Sequence, residues 1–174
     1  MKHLLHILRA SGVCFGMLLW LASCSFHSRY SESAQIPTGG WLAGDTLFYP
    51  VLVLDSATFS NPIEAHTPYT LRLGVRHTNA FPYRTLSLRF AVEFLDSGGK
   101  PAATLFARDI LAPLTDGDGN WDGDTWGSFH EKEFTVSSLT LSFPRPGNYR
   151  MRLLPLRQEA PLPGLESLTL TIPE

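Results

Sequence analysis

Short segments in which apolar and polar residues alternate dominate the chain after residue 40. The clearest runs from Tyr69 to Arg76, where Tyr69, Leu71, Leu73 and Val75 are separated by Thr, Arg and Gly. An alternation with a period of two places the apolar side chains on one face of a β-strand. Similar patterns predict further strands at 86–94, 103–111, 148–154 and 167–172.

Three segments are less regular. The apolar run 46–54 contains Pro50, which confines it to an edge strand or a bulge. Segment 129–136 is compatible with a strand or a short helix, and 139–143 alternates briefly. Ser97-Gly98-Gly99-Lys100-Pro101 predicts a hairpin turn after strand 86–94, whose Glu93 is expected on the polar, solvent-facing side.

No segment after residue 23 has a convincing helical period. Seven or eight short strands, separated by turns rich in Gly, Pro, Asn and Asp, predict an all-β fold, an antiparallel β-sandwich of jelly-roll type. The sandwich is expected over residues 41–174. Trp41, just before the first predicted strand, is expected in its core.

A different pattern occupies the N-terminus. Lys2 and Arg9 precede an apolar run, 13–21, that is too short to span a bilayer, as in a cleaved signal peptide. The sequence Leu21-Ala22-Ser23-Cys24 resembles the lipobox of bacterial lipoproteins, which implies cleavage after residue 23 and acylation of Cys24. An ordinary secretory signal and an uncleaved helix are the alternatives. Two or more acyl chains make membrane attachment effectively permanent.

Residues 24–40 are polar apart from Phe26, Tyr30 and Ile36, and predict a flexible tether between the lipid and the domain. Clusters of acidic residues directly after the lipidated cysteine accompany surface export of lipoproteins in some bacteria with two membranes. No such cluster follows Cys24. We therefore expect an outer-membrane lipoprotein that faces the periplasm.

Cleavage leaves 151 of the 174 residues, the size of one domain, with a net charge of about −4. This mild acidity argues against nucleic acid as a partner. The only cysteines are Cys14, in the signal peptide, and Cys24. The folded domain therefore contains no disulfide, thiolate metal site or cysteine nucleophile.

The densest chemistry lies in an Asp/Gly-rich loop. The Asp and Asn side chains of this loop supply oxygen atoms, which are the ligands that calcium prefers. The EF-hand spacing that starts at Asp118 nevertheless fails at its twelfth position, because Phe129 stands there. Turn geometry, with Asp and Asn side chains bonded to local backbone N–H groups, is the interpretation we favour over a cation site or a partner contact. The candidate ligands are Asp116, Asp118, Asn120, Asp122 and Asp124.

Trp121 and Trp126 belong to the same loop region. Aromatic residues on sandwich loops stack on sugar rings in many carbohydrate-binding modules, so a lipid-anchored glycan-binding module is the alternative function. The competing interpretation is that both side chains cap the core. Exposed, coplanar rings would favour glycan binding, and buried rings would favour the core.

Catalytic candidates are weak. His66, His77 and His130 have no short ligand spacing, and no Gly-x-Ser-x-Gly element is present, so a hydrolase would need a site assembled wholly by folding. Outward-facing arginines are expected either to form a basic stripe across one sheet face, suited to an acidic partner, or to keep the sheet soluble. These are Arg72, Arg76, Arg89, Arg150 and Arg152.

Several short motifs occur along the chain in a specific order. They are Trp41 with Gly44-Asp45-Thr46, the strand 71–75 followed by Arg76-His77-Thr78-Asn79 and Pro82-Tyr83, the loop 119–123 with Trp126-Gly127, Pro146-Gly147-Asn148-Tyr149, and Leu162-Pro163-Gly164-Leu165. This order resembles the GldH family of gliding-motility lipoproteins of the Bacteroidota. Thr85 departs from the family's usual asparagine after the Pro-Tyr pair.

The resemblance implies a non-enzymatic envelope protein that acts through contacts with other envelope or gliding proteins. The expected cofactor set is then empty apart from the lipid on Cys24, and no small-molecule ligand is expected. The functional hypothesis therefore has two parts. The lipid attaches the protein to the membrane, and the folded domain contacts other proteins.

Overall fold

The computed structural model describes residues 28–54, 62–156 and 161–174, except for the side chain of Ser138. The signal peptide 1–23 and Cys24 lie outside the described residues, so their assignments stay predictions. No helix among the described residues has the length and apolar character needed to cross a membrane.

The described residues form ten β-strands and no helix. The strands are β1 (Ser28–Gln35), β2 (Leu47–Phe48), β3 (Leu52–Leu54), β4 (Pro68–Thr78), β5 (Thr85–Leu95), β6 (Pro101–Pro113), β7 (Asp124–Trp126), β8 (Phe129–Ser142), β9 (Gly147–Pro155) and β10 (Leu165–Pro173).

Two antiparallel sheets pack face to face. The first has the strand order β1-β10-β4-β8-β7, and the second has the order β2-β9-β5-β6, with β3 also paired to β9. Most consecutive strands alternate between the sheets, and the order β1-β10-β4-β8 against β3-β9-β5-β6 is that of a jelly roll. The predicted all-β sandwich is therefore confirmed.

The hairpin between β5 and β6 follows the predicted turn chemistry. The Asp96 carboxylate accepts the backbone N–H groups of Gly98 and Lys100 at 2.9 and 2.8 Å. Segment 129–136, which the sequence left open between strand and helix, and most of the alternating segment 139–143 belong to one long strand, β8, that ends at Ser142. Pro50 falls between β2 and β3 and interrupts that edge, as predicted.

Strand β1 corrects the predicted tether 24–40. It pairs with β10 from Ser28–Pro173 to Gln35–Ser167 and forms the edge of the first sheet. Its polar residues hid it in the sequence, because an edge strand needs few inward anchors. Here the anchors are Tyr30 and Ile36, both buried in the core.

The apolar faces of both sheets meet in a single core. The largest fully buried side chains come from both sheets and from the loops that cover their ends. Trp41 lies in this core as expected, and its indole N–H donates to the Asp45 carbonyl at 3.1 Å. The other large members include Phe81, Phe90, Phe143, Tyr149, Leu71, Leu73, Leu88, Met151 and Leu153.

Tyr49 connects the two sheets by a buried hydrogen bond. Its backbone N–H donates to the Met151 carbonyl of β9 at 3.0 Å, and its hydroxyl donates to the Leu168 carbonyl of β10 at 2.9 Å. Burial, with a smaller contribution from Tyr30, raises the pKa of Tyr49 above its usual range. The hydroxyl therefore stays protonated and donates at every physiological pH.

We expect Tyr49→Phe to lower the free energy of unfolding by about 1 kcal/mol, the typical net value of such a bond. Urea denaturation of the purified protein measures the change. Tyr30→Phe is the control, because the Tyr30 hydroxyl makes a longer bond, 3.3 Å to the Pro50 carbonyl, in a less buried setting. Equal losses in the two variants would contradict a special role for Tyr49.

Candidate functional site

The Asp/Gly-rich loop between β6 and β7 is organised around Asp116. The Asp116 carboxylate accepts the backbone N–H groups of Asp118 and Asn120 at 3.0 and 2.8 Å, and the side-chain amide of Asn120 at 3.3 Å. The backbone N–H of Asn120 is the main reason that the pKa of Asp116 lies below its usual value. Asp116 therefore acts as the closing group of a turn.

The remaining candidate ligands do not converge on Asp116. Asp122 forms an ion pair with Lys132 of β8 at 2.8 Å, and this contact holds the pKa of Asp122 below its usual range. Gly123 has a φ of 103° and lies so close to the Glu131 carbonyl that a Cβ would clash. Among the described residues, no group of three or more His, Cys, Asp or Glu side chains is placed to hold a metal ion.

The two tryptophans of this region have different environments. Trp121 is half-buried against the core, with its ring 4.4 Å from that of His77 in a T-shaped contact. Trp126, at the end of β7, is 70% exposed. The pair therefore does not form one exposed aromatic platform, which was the arrangement expected for glycan binding.

Folding brings together two histidines that lie far apart in the sequence. His77 of β4 pairs directly with His130 of β8, and their rings stack with centroids 5.3 Å apart. His130 interacts with Thr125 Oγ1 at 3.0 Å through Nδ1 and with Asn79 Oδ1 at 2.7 Å through Nε2. The hydroxyl–imidazole–amide chain ties together β7, β8 and the loop after β4.

The sequence alone did not reveal this cluster, because its members meet only through the register of β4 and β8. An imidazole between a hydroxyl or thiol and a carboxylate or amide also occurs in hydrolytic triads. Here both nitrogens of His130 are occupied by groups that belong to the fold. The arrangement accounts for how β7 is held, and Trp126 with it.

His77 is the unusual member of the cluster. It is fully buried; its Nδ1–H donates to the Thr78 carbonyl at 3.1 Å, and its Nε2 has no hydrogen-bond partner. The rings of Phe81, Trp121 and His130 surround it. Burial is the main cause that lowers the pKa of His77, and the nearby His130 lowers it further.

Of the two arrangements considered for the arginines, the single basic stripe across one sheet face does not form. Arg72 and Arg76 lie on β4 of the first sheet, whereas the other three arginines lie on the second sheet. Most are also paired with carboxylates, because each sheet supplies a cross-strand acidic partner. The pairs are Arg72–Glu133 at 4.0 Å, Arg89–Asp109 at 2.8 Å, Arg150–Glu93 at 2.8 Å and Arg152–Glu93 at 2.9 Å.

Glu93 also departs from the prediction of a solvated side chain. It lies on the outward face of β5 but is only 7% exposed, because Arg150 and Arg152 of β9 cover it. Arg150 in turn stacks on the Phe48 ring at 4.4 Å. The outer face of the second sheet therefore carries a compact ion cluster of two arginines on one glutamate, with a formal charge of +1, rather than a row of unpaired arginines.

The exposed large apolar residues lie mainly on the edge strands, and they fall on two opposite sides of the sandwich. The β6–β7 side carries Leu105, Leu111 and Trp126. The β1–β3 side carries Val51 and Val53, with Phe48 nearby on β2. Exposed apolar groups of this kind mark candidate interaction surfaces.

Strand β6 is the longest of the exposed edges. It spans Pro101–Pro113, pairs with β5 on one side, and ends the second sheet on the other. An edge strand presents unpaired N–H and C=O groups to which another strand can bond. The edge and the apolar side chains along it form the surface best suited to recognition of a protein.

We expect stability to fall as the pH drops below about 6.5, because the unfolded chain then binds a proton that buried His77 resists. The neutral, buried state of His77 therefore contributes to stability above the ordinary histidine pKa, and this contribution is lost as the pH falls. Urea midpoints measured between pH 7.5 and 5 should fall less steeply for His77→Phe than for the wild type. Exposed His66→Asn should keep the wild-type dependence. An unchanged slope in His77→Phe would contradict this role.

Several solved structures and one family model match this chain. Among solved structures, a family 35 carbohydrate-binding module in complex with a glucuronic acid-containing disaccharide has 16% identity and a TM-score of 0.36, over 74% of this chain and 67% of that one. The family 35 module from Clostridium thermocellum has 13% identity and a TM-score of 0.30, over 80% and 97%.

The structure of infectious bursal disease virus Gt strain has 16% identity and a TM-score of 0.34, and the match covers 85% of this chain but 30% of that one. No curated protein matches. A family model described as GldH lipoprotein matches residues 28–172, from the first residue of β1 almost to the end of β10. The chain therefore belongs to the GldH lipoprotein family and is a membrane lipoprotein of the gliding-motility type.

Proposed function

We propose that this protein is a non-enzymatic component of the gliding machinery, anchored by acylated Cys24 in the outer membrane and facing the periplasm. It acts by holding another envelope protein against its sandwich domain. Family membership supports the lipoprotein part of this proposal. The lipobox sequence Leu21-Ala22-Ser23-Cys24 supports the choice of Cys24.

The open edge of β6 is the observation that carries the contact role. It is 13 residues long, and proline at both ends marks its limits. Along it, Leu105 is 41% exposed and Leu111 is 70% exposed. An extended segment of a partner can add to such an edge, with main-chain hydrogen bonds giving affinity and the apolar side chains giving specificity.

Trp126 extends the same surface. It lies on β7, the edge strand of the first sheet on the same side of the sandwich as β6. Large aromatic side chains are enriched among the residues that dominate binding energy at protein interfaces. The inward position of Trp121 removes the paired platform that a glycan-binding module would use, so the partner class we infer is protein.

Replacement of the anchor residue tests the membrane part of the proposal. We expect Cys24→Ser to abolish incorporation of labelled fatty acid and, because the lipobox is lost, to leave the signal sequence uncleaved. Mass spectrometry of the wild-type N-terminus should show an acylated Cys24. An unmodified N-terminus in a membrane-free wild-type protein would contradict the anchor.

Lysines introduced on the β6 edge test the proposed contact with a partner protein, because a lysine on an edge strand blocks the addition of another strand. The variant is Leu105→Lys with Leu111→Lys, and the control is Leu42→Lys, whose side chain is 50% exposed in a loop. Surface changes of this kind are expected to alter stability by less than about 0.5 kcal/mol. Tagged full-length chains, crosslinked in cells and isolated from membranes, should retrieve envelope proteins in the wild type and the control, but not in the variant.

Two outcomes would contradict this proposal. The first is that wild-type protein retrieves no envelope protein, and the second is that the variant and the control behave alike. Retention of the wild-type chain on envelope polysaccharide, lost in Trp126→Ala, would instead support the glycan-binding alternative.

A further inference from the structure

Strand β1 limits how far the domain can lie from its anchor. Its first residue, Ser28, is four positions after Cys24 in the sequence, and only Ser25, Phe26 and His27 lie between them. Consecutive Cα atoms are about 3.8 Å apart, so four steps span at most about 15 Å. If Cys24 is acylated, the start of β1 must stay within that distance of the bilayer surface.

A groove lies beside the start of β1, on the β1–β3 side of the sandwich. It has a volume of about 340 Å³ and is lined by residues 28–32 of β1 and 50–53 of the β2–β3 edge, with Pro62 and Ile63. The Arg29 side chain donates to the Pro62 carbonyl at 2.9 Å, and the Tyr30 hydroxyl to the Pro50 carbonyl at 3.3 Å. The Tyr30 bond links β1 to the β2–β3 edge, and the Arg29 bond links β1 to the segment that precedes β4.

The rim of the groove on the β2–β3 edge is apolar although it faces outward, whereas the β1 rim is mostly polar. Val51 is 48% exposed and Val53 is 40% exposed, and they alternate with buried Leu52 and Leu54. The charged groups of the groove, Arg29 and Glu32, offset each other. The surface therefore favours contact with apolar material and gives no electrostatic preference for a strongly charged ligand.

We propose that the β1–β3 side is the surface that lies against the membrane, with Val51 and Val53 at the boundary between lipid headgroups and acyl chains. This inference rests on the acylation of Cys24 proposed above. Apolar side chains within reach of an acyl anchor gain free energy by entering this boundary. A protein partner or a second copy would have to displace lipid that the anchor already brings there.

The proposal fixes the orientation of the sandwich. Strands β1 and β6 lie on opposite sides, because β1 ends the first sheet at the side where β2 and β3 end the second. With the β1–β3 side on lipid, the β6 edge and Trp126 point away from the membrane. The partner-binding edge is thus presented to the aqueous compartment.

Site-specific labelling of the full-length acylated chain tests this orientation. Because Cys14 leaves with the signal peptide and acylation blocks Cys24, a cysteine introduced elsewhere is the single reactive thiol. Val53→Cys and Leu105→Cys are matched, since the native side chains are 40% and 41% exposed. Each variant carries an environment-sensitive dye and is reconstituted in phosphatidylcholine vesicles that contain lipids with a quencher near the headgroup.

We expect quenching at position 53 to be several-fold stronger than at position 105, with Val51→Cys behaving like the former and Leu111→Cys like the latter. Equal quenching at all four positions, or stronger quenching at 105 and 111, would overturn the orientation. A dye at 53 that is shielded but not quenched by lipid would mean a protein contact and would also overturn it.

Mass spectrometry of the same samples separates this inference from the anchor itself. An acylated Cys24 with equal quenching overturns the orientation and leaves the anchor intact. An unacylated Cys24, detected also by dye labelling of the chain that lacks an introduced cysteine, overturns both.

Discussion

The pairing of β1 with β10 is the constraint on which the arrangement of this molecule depends. It completes the first sheet and covers one side of the core with Tyr30 and Ile36. It also makes most of the predicted tether part of the folded domain. Because the strand begins four positions after Cys24 in the sequence, acylation of Cys24 as proposed above would link the position of the domain to its orientation. The rest of the sandwich would then determine which surfaces face lipid and which face solvent.

The strands that alternate strictly could be predicted from the sequence, because burial of one face imposes a period of two. This holds for β4, where Leu71, Leu73 and Val75 are fully buried. Strand β1 escaped prediction because its burial relies on one tyrosine and on backbone pairing, which leave little periodic signal. The family model, whose match begins at residue 28, coincides with the strand that hydrophobic patterning misses.

The side-chain clusters were harder to predict, for a different reason. His77 and His130 meet through cross-strand register, and Glu93 is covered by arginines of a strand more than fifty residues away. Such contacts depend on which strands are neighbours, and alternation gives no information on neighbours. The Asp116 turn, by contrast, involves residues within five positions, and its Asp, Asn and Gly content was sufficient to predict turn geometry.

The proline-bounded edge of β6 has a consequence for stoichiometry. An antiparallel or parallel strand added there would occupy the full uncovered length of the second sheet on that side, about 40 Å at about 3.3 Å per residue. The new outer edge would then belong to the partner rather than to this chain. The β6 edge of each domain can therefore accept one partner segment, and any further strand would have to add to that segment and not to this chain.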